Sequence, residues 1–153
     1  MLSEFLGQYV YFMAPFIAWF LCQVLKVVFY LFAEHQLNVA KLFDIGGMPS
    51  SHSALVVALA TALGLREGLT SPLFGLSLIF ALVVMYDATN LRRATGEHAH
   101  TLNRVIPELL RGKLVQEFDF KVMREVLGHS PVEVAVGSVI GFLIAYGMVV
   151  SLL

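Results

Sequence analysis

The sequence predicts an all-α fold: an integral membrane helical bundle of about four transmembrane helices, with amphipathic helices on its cytoplasmic side. Three observations carry this. Of the 153 residues, 58% are hydrophobic and only 14% charged, with a mean hydropathy of +0.80; a soluble domain is nearer about 45–50% apolar and about 25% charged. The apolar residues fall in long runs separated by short polar stretches. Seven of the ten Lys and Arg residues fall in one of those stretches. The same composition excludes intrinsic disorder, which needs low hydrophobicity and high net charge. A net charge of −1 gives no basic excess to hold a phosphate backbone, so no nucleic-acid partner is expected. The single cysteine, Cys22, cannot form an internal disulfide. The length suits one domain, residues 1–153.

The first run, Tyr9 to Ala33, exceeds the roughly 18 residues of a transmembrane helix. It lacks the basic leader of a signal peptide and is too long for one, so a retained span is expected. Ala54 to Leu65 is shorter. It crosses a bilayer only if it begins near Met48, which puts polar backbone at membrane depth, where protein or water must satisfy it. Leu69 to Tyr86 is a third span, joined to the second by Arg66-Glu67-Gly68. Pro131 to Leu153 is a fourth. Between the third and fourth lies the polar stretch Asp87 to Gly128. Leu102, Val105, Ile106, Leu109 and Leu110 recur there at helical spacing, as do Leu114, Val115, Phe118, Val122 and Val126. Amphipathic helices are expected, broken at Pro107 and Gly112, lying on the membrane surface or capping the bundle.

Charge sets the expected topology. Arg92, Arg93, Arg104, Arg111, Lys113, Lys121 and Arg124 share the loop after the third span, and Lys41 the loop after the first. Only Arg66 lies opposite. The positive-inside rule puts both polar loops in the cytoplasm and the amino terminus outside, in a multi-pass protein of the cell membrane.

Ionisable groups in or beside spans are costly and mark candidate sites. Lys26 shares a helical face with Gln23; by itself it is also explained by snorkelling to the headgroups. Gly46-Gly47-Met48-Pro49-Ser50-Ser51-His52-Ser53 places two glycines and a helix start together, with Ser50 or Ser51 as N-cap. The free N–H groups of that helix start form an anion site, and His52 in its first turn can donate a proton. In Gly128-His129-Ser130-Pro131-Val132-Glu133, Ser130 to Glu133 reads as a capping box with Pro at the first helical position. Glu133 also stands four residues from His129, where it can orient the imidazole as a nucleophile toward phosphorus. Asp87 can hold a histidine or one of Arg92 and Arg93, and that pair suits bidentate phosphate binding as well as simple anchoring. His98 and His100, read in a polar turn, and His35 are expected to be solvated.

Pro49-Ser50-Ser51-His52, followed far downstream by Gly128-His129 and an acid four residues on, resembles the type 2 phosphatidic acid phosphatase and vanadium haloperoxidase superfamily. Gly46 to Ala54, Asp87 with its paired arginines, and Gly128 to Glu133 are similar to its divergent, haloperoxidase-related membrane branch, a likeness running from about Gln23 to Gly141. The resemblance implies that His129 attacks phosphorus, Glu133 orients it, His52 protonates the leaving group and Lys26 holds the phosphate. The chain departs from the pattern at several places. Glu133 stands where the superfamily usually has Asp, and Ser51 where it has Gly. Ala33 and Glu34 replace an Arg-Pro pair, and Met123 an arginine six residues before the second histidine. Arg92 and Arg93 are the candidate replacements.

The expected activity is therefore hydrolysis of a lipid phosphate or diphosphate at the cytoplasmic face through a phosphohistidine, with no metal or cofactor. The catalytic set is His129, His52, Glu133 and Asp87; the substrate-binding set is Lys26, Gly47, Ser50, Ser51, Arg92 and Arg93. Membrane lipids are the expected partners, with a homodimer to enclose a site that four spans leave open. Two other readings stand beside it: a binding or transport protein in which His52, Asp87, His129 and Glu133 hold a metal ion or a lipid phosphate, and a catalytically silent scaffold.

Overall fold

Small residues at every fourth position build the core. In the computed structural model, which describes residues 2–39, 42, 46–111, 120–125 and 127–152, five helices follow in order: α1 Leu2–Glu34, α2 Ser51–Glu67, α3 Pro72–Thr89, α4 Leu91–Arg111 and α5 Pro131–Leu152. Val10, Ala14, Ala18 and Cys22 of α1, Ala54, Ala58 and Ala62 of α2, and Ala145 and Val149 of α5 form one fully buried cluster. A four-residue spacing keeps such residues on one helix face. In lipid, where no hydrophobic force drives helices together, small side chains let backbones approach and gain packing contacts instead. The approach is closest between α5 and α2: a Cβ at Gly137 would lie 2.2 Å from the Ser50 carbonyl oxygen, and one at Gly141 2.2 Å from that of Ala54.

The architecture is the expected all-α membrane bundle. Three stretches, Gly7–Glu34, Pro72–Leu110 and Pro131–Leu152, are long and apolar enough to cross a membrane. At 17 residues, α2 is about 26 Å long. It packs against α1, α3 and α5, and the buried Pro49 and Ser50 precede it. Phe12, Phe16, Phe20, Phe29 and Phe32 on the outer face of α1 are exposed, as a lipid-facing surface is. At the end remote from residues 128–133, the Tyr11 hydroxyl donates to Glu67 and the Arg66 guanidinium lies 5.9 Å from the Tyr11 ring centroid.

The polar stretch after α3 differs from expectation. Helix α4 starts at Leu91 and runs unbroken through Pro107, so His98 and His100 lie on a helix and not in a turn; an internal proline removes one hydrogen bond, here that to the Asn103 carbonyl, without ending the helix. Residues 120–125 have no regular secondary structure and are not helical, although Val122 was expected on an amphipathic helix. Their backbone is claimed by a side chain: Asn103 Nδ2 donates to the Met123 carbonyl at 2.8 Å, and the Met123 N–H donates to Asn103 Oδ1 at 2.9 Å. Leu114, Val115, Phe118 and Val126, the rest of that expected helix, lie outside the described residues.

This strap runs back along α4. Glu125 meets His100 and Asn103 (2.7 and 2.8 Å). Next, a Cβ on Gly96 would lie 2.4 Å from the Glu125 carbonyl, and one on Gly128 2.5 Å from the Arg93 nitrogen. Gly128 also has φ +82°, a left-handed conformation that glycine adopts without strain. The strap ends by delivering His129, whose N–H donates to the Ala88 carbonyl at 2.9 Å.

Candidate functional site

Two helix starts meet where the chain brings its scarce ionisable groups together. Ser50 is the N-cap of α2. Its Oγ accepts from the Ser53 N–H at 3.3 Å and from the Ser53 hydroxyl at 3.0 Å. The N–H groups of Ser51 and His52, in the first turn, have no intrahelical partner, as helix geometry requires. Ser50, Ser51 and Ser53 are all buried. Gly47, just upstream, has φ +89° and is exposed, so it sits at the rim.

Helix α5 starts with half of the expected capping box. The Glu133 N–H donates to Ser130 Oγ at 3.3 Å. The Glu133 carboxylate does not turn back to the cap; its Oε2 lies 2.8 Å from Nδ1 of His129. The two helix starts are joined by the Ser50 N–H, which donates to the Glu133 carbonyl at 3.1 Å.

The His129 side chain is 1% exposed. With Nδ1 engaged by Glu133, its Nε2 is buried and has no hydrogen-bond partner among the described residues. A buried polar atom without a partner is costly and rare in folded proteins. Burial pushes the imidazole pKa below its ordinary value; the Glu133 carboxylate opposes this, and the positive charges of Lys26 and Arg92 add to it. The His52 ring stands opposite, with centroids 5.9 Å apart and planes inclined by 59°. Lys26, Asp87, Arg92 and His129 all lie within electrostatic reach of His52.

Lys26 does not snorkel outward. It is 5% exposed, and its Nζ donates to Ser51 Oγ at 3.3 Å, so the α1 cation is held against the first residue of α2. Arg92 is fixed by Asp87, Nε to Oδ2 2.6 Å. Arg93 turns elsewhere, its Nε 3.3 Å from Glu97 Oε1 along α4. Of the candidates, then, His129, Glu133, His52, Lys26, Ser50, Ser51, Asp87 and Arg92 are brought together; Gly47 borders them, and Arg93 is not among them. The usual superfamily arginine position is Met123, whose backbone is clasped by Asn103. That is eleven residues, about 16 Å of helix, along α4 from Arg92. His35 and His98 are exposed, whereas His100 pairs with Glu125. Among the described residues, no group of three or more His, Cys, Asp or Glu side chains is placed to hold a metal ion.

Two contributors, the Gly137–Gly141 pair and Asn103, escape the sequence reading. Gly137 and Gly141 seat α5 on the head of α2; their four-residue spacing, matched by the alanines of α1 and α2, is the available signal. Asn103 clasps the strap, and no local pattern announces it. Gln23, one turn before Lys26, is 8% exposed, and its Oε1 is a second buried atom without a partner among the described residues.

A helical bundle whose paired histidines, carboxylate and cations collect at one end defines a membrane protein with a polar site at one end of its bundle. The chain matches the divergent PAP2 family over residues 8–144, and it belongs to that family. It is 39% identical over 130 residues to the uncharacterized membrane protein YuiD of Bacillus subtilis (strain 168), covering 80% of this chain and 82% of YuiD. The chain is thus a membrane protein of the divergent PAP2 family. No solved structure matches it.

Proposed function

We propose that the protein is a phosphatase of membrane lipids, hydrolysing a phosphate monoester or diphosphate through a phosphohistidine. The observation that carries this reading is the buried, unpartnered Nε2 of His129, backed at Nδ1 by Glu133. A proton held on Nδ1 by the carboxylate leaves the Nε2 lone pair free to attack. In the first step that pair forms the N–P bond while the bond from phosphorus to the leaving oxygen breaks, and His52 gives its proton to that oxygen. In the second, water attacks phosphorus, His52 takes a proton from it, and the N–P electron pair returns to Nε2. Lys26, Arg92 and the first-turn N–H groups of α2 face the charge that develops on the phosphoryl oxygens. Arg92, locked by Asp87, takes the place of the superfamily arginines absent at Ala33 and Met123. The site opens to the cytoplasm, the side to which the basic loops assign it.

The test is orthophosphate release from phosphatidate and prenyl diphosphate by purified protein, with acid-labile, base-stable labelling of the protein by substrate phosphate. His129→Ala is expected to abolish both. Undiminished turnover by that variant would overturn the mechanism.

A further inference from the structure

Beside the histidine cluster, α2, α3 and α5 enclose a groove of about 300 Å³. Val57, Leu65, Leu69, Phe74, Leu78 and Phe142 line it, and Thr61 carries the one hydroxyl among its lining side chains. We propose that this groove seats one unbranched hydrocarbon chain of the phosphorylated substrate, with the phosphate at His129 and the chain end near Gly64. The inference rests on the phosphatase reading of the site.

Continuity with the site is the first support. Met85 lines the groove and stands three residues before Ala88, whose carbonyl holds the His129 N–H. The Ser138 hydroxyl donates to Met85 Sδ at 3.4 Å, and its neighbour Gly137 lies against Ser50. Val57 follows His52 by five residues, about 7.5 Å of helix. One end of the groove therefore adjoins the cluster.

Dimensions are the second. From Val57 to Leu65 the groove follows α2 for about 12 Å, within one leaflet of a hydrocarbon core about 30 Å thick. A volume of about 300 Å³ over a length of that order suits one slender chain. Towards the far end Phe74 packs against α2: a Cβ on Gly64 would lie 2.9 Å from its ring.

A lipid tail is already out of water in the bilayer, so the groove acts by packing and position and not by hydrophobic transfer. Its effect should appear in turnover of chain-bearing substrates. Thr61→Phe and Leu78→Trp fill it from α2 and from α3, and neither residue touches the polar cluster. With dodecyl, farnesyl and butyl phosphate in the same detergent micelles, kcat/KM of the unaltered protein is expected to be highest for dodecyl phosphate. Both variants should lower that value about ten-fold and leave butyl phosphate unchanged, which also shows that they fold. Retained preference for dodecyl phosphate in both variants would overturn the groove and leave the phosphatase reading intact. A preference for farnesyl phosphate would overturn the unbranched chain. No turnover of any of the three, nor of prenyl diphosphate, would overturn the phosphatase reading. The groove is then judged by a photoreactive dodecyl phosphate, expected to label the α2 and α3 peptides containing residues 57–65 and 74–85; labelling confined to the outer phenylalanines of α1 would overturn it.

Discussion

Nδ1 of His129 stands 2.8 Å from Oε2 of Glu133, across the boundary where the strap becomes α5. The helix start therefore does two things with one residue: its N–H completes the Ser130 cap, while its carboxylate fixes the imidazole. Glu133→Gln keeps the cap and loses the charge. Turnover of a lipid phosphate should fall about 10²–10⁴-fold, the range that general acid–base catalysis contributes, with little change in KM. Glu133→Asp should retain more activity than Glu133→Gln, which steady-state kinetics on the two variants checks.

The pH dependence follows from burial. His129 titrates below its ordinary 6.5, so its neutral, nucleophilic form persists as pH falls toward and past that value. The acid limb of kcat/KM assigned to His129, measured as a pH profile, should lie below pH 6.5. The folded chain also binds fewer protons at this group than the unfolded chain. Its contribution to stability is full above pH 6.5 and is lost as pH falls below it, which melting in detergent at several pH values will read.

Gly137 and Gly147 lie on the same helix and predict opposite outcomes. A Cβ at Gly137 collides with the Ser50 carbonyl at 2.2 Å, whereas at Gly147 nothing lies within 4 Å. Gly137→Ala should cost about 1–3 kcal/mol, the usual penalty of overpacking, and should disturb the α2 cap and hence turnover. Gly147→Ala should leave both nearly unchanged. Thermal melts and phosphate release on the pair distinguish them.

Asn103 clasps the strap that ends at His129. Asn103→Ala removes both hydrogen bonds to the Met123 backbone, at about 1 kcal/mol each, and amide hydrogen exchange across residues 120–125 should accelerate. Asn103→Asp can still accept from the Met123 N–H but cannot donate, and sets a second carboxylate beside Glu125. Its exchange should also be faster than in the unaltered chain.

The sequence alone carries the elements whose causes are local. The apolar runs become α1, α3 and α5 because a bilayer-length stretch must satisfy its backbone within itself. Ser50 caps α2 and Ser130 caps α5 because a hydroxyl beside a helix start can reach the free N–H groups of the first turn. The His129–Glu133 contact follows from a four-residue spacing across one turn. What sequence could not settle was contact between distant segments. Periodicity in residues 114–126 suggested a helix, yet residues 120–125 are not helical, because Asn103, Gly96 and His100 on α4 hold that backbone and side chain in place. Two adjacent arginines look equivalent in the sequence, but a helix turns by about 100° per residue; Arg92 meets Asp87 near the histidines, and Arg93 meets Glu97. Lys26 reads equally well as an interfacial anchor until the bundle forms. Only the close seating of α5 on α2, and of α2 on α1, buries it against Ser51 and gathers a lysine, two histidines and an arginine from four separate segments at one end of the membrane.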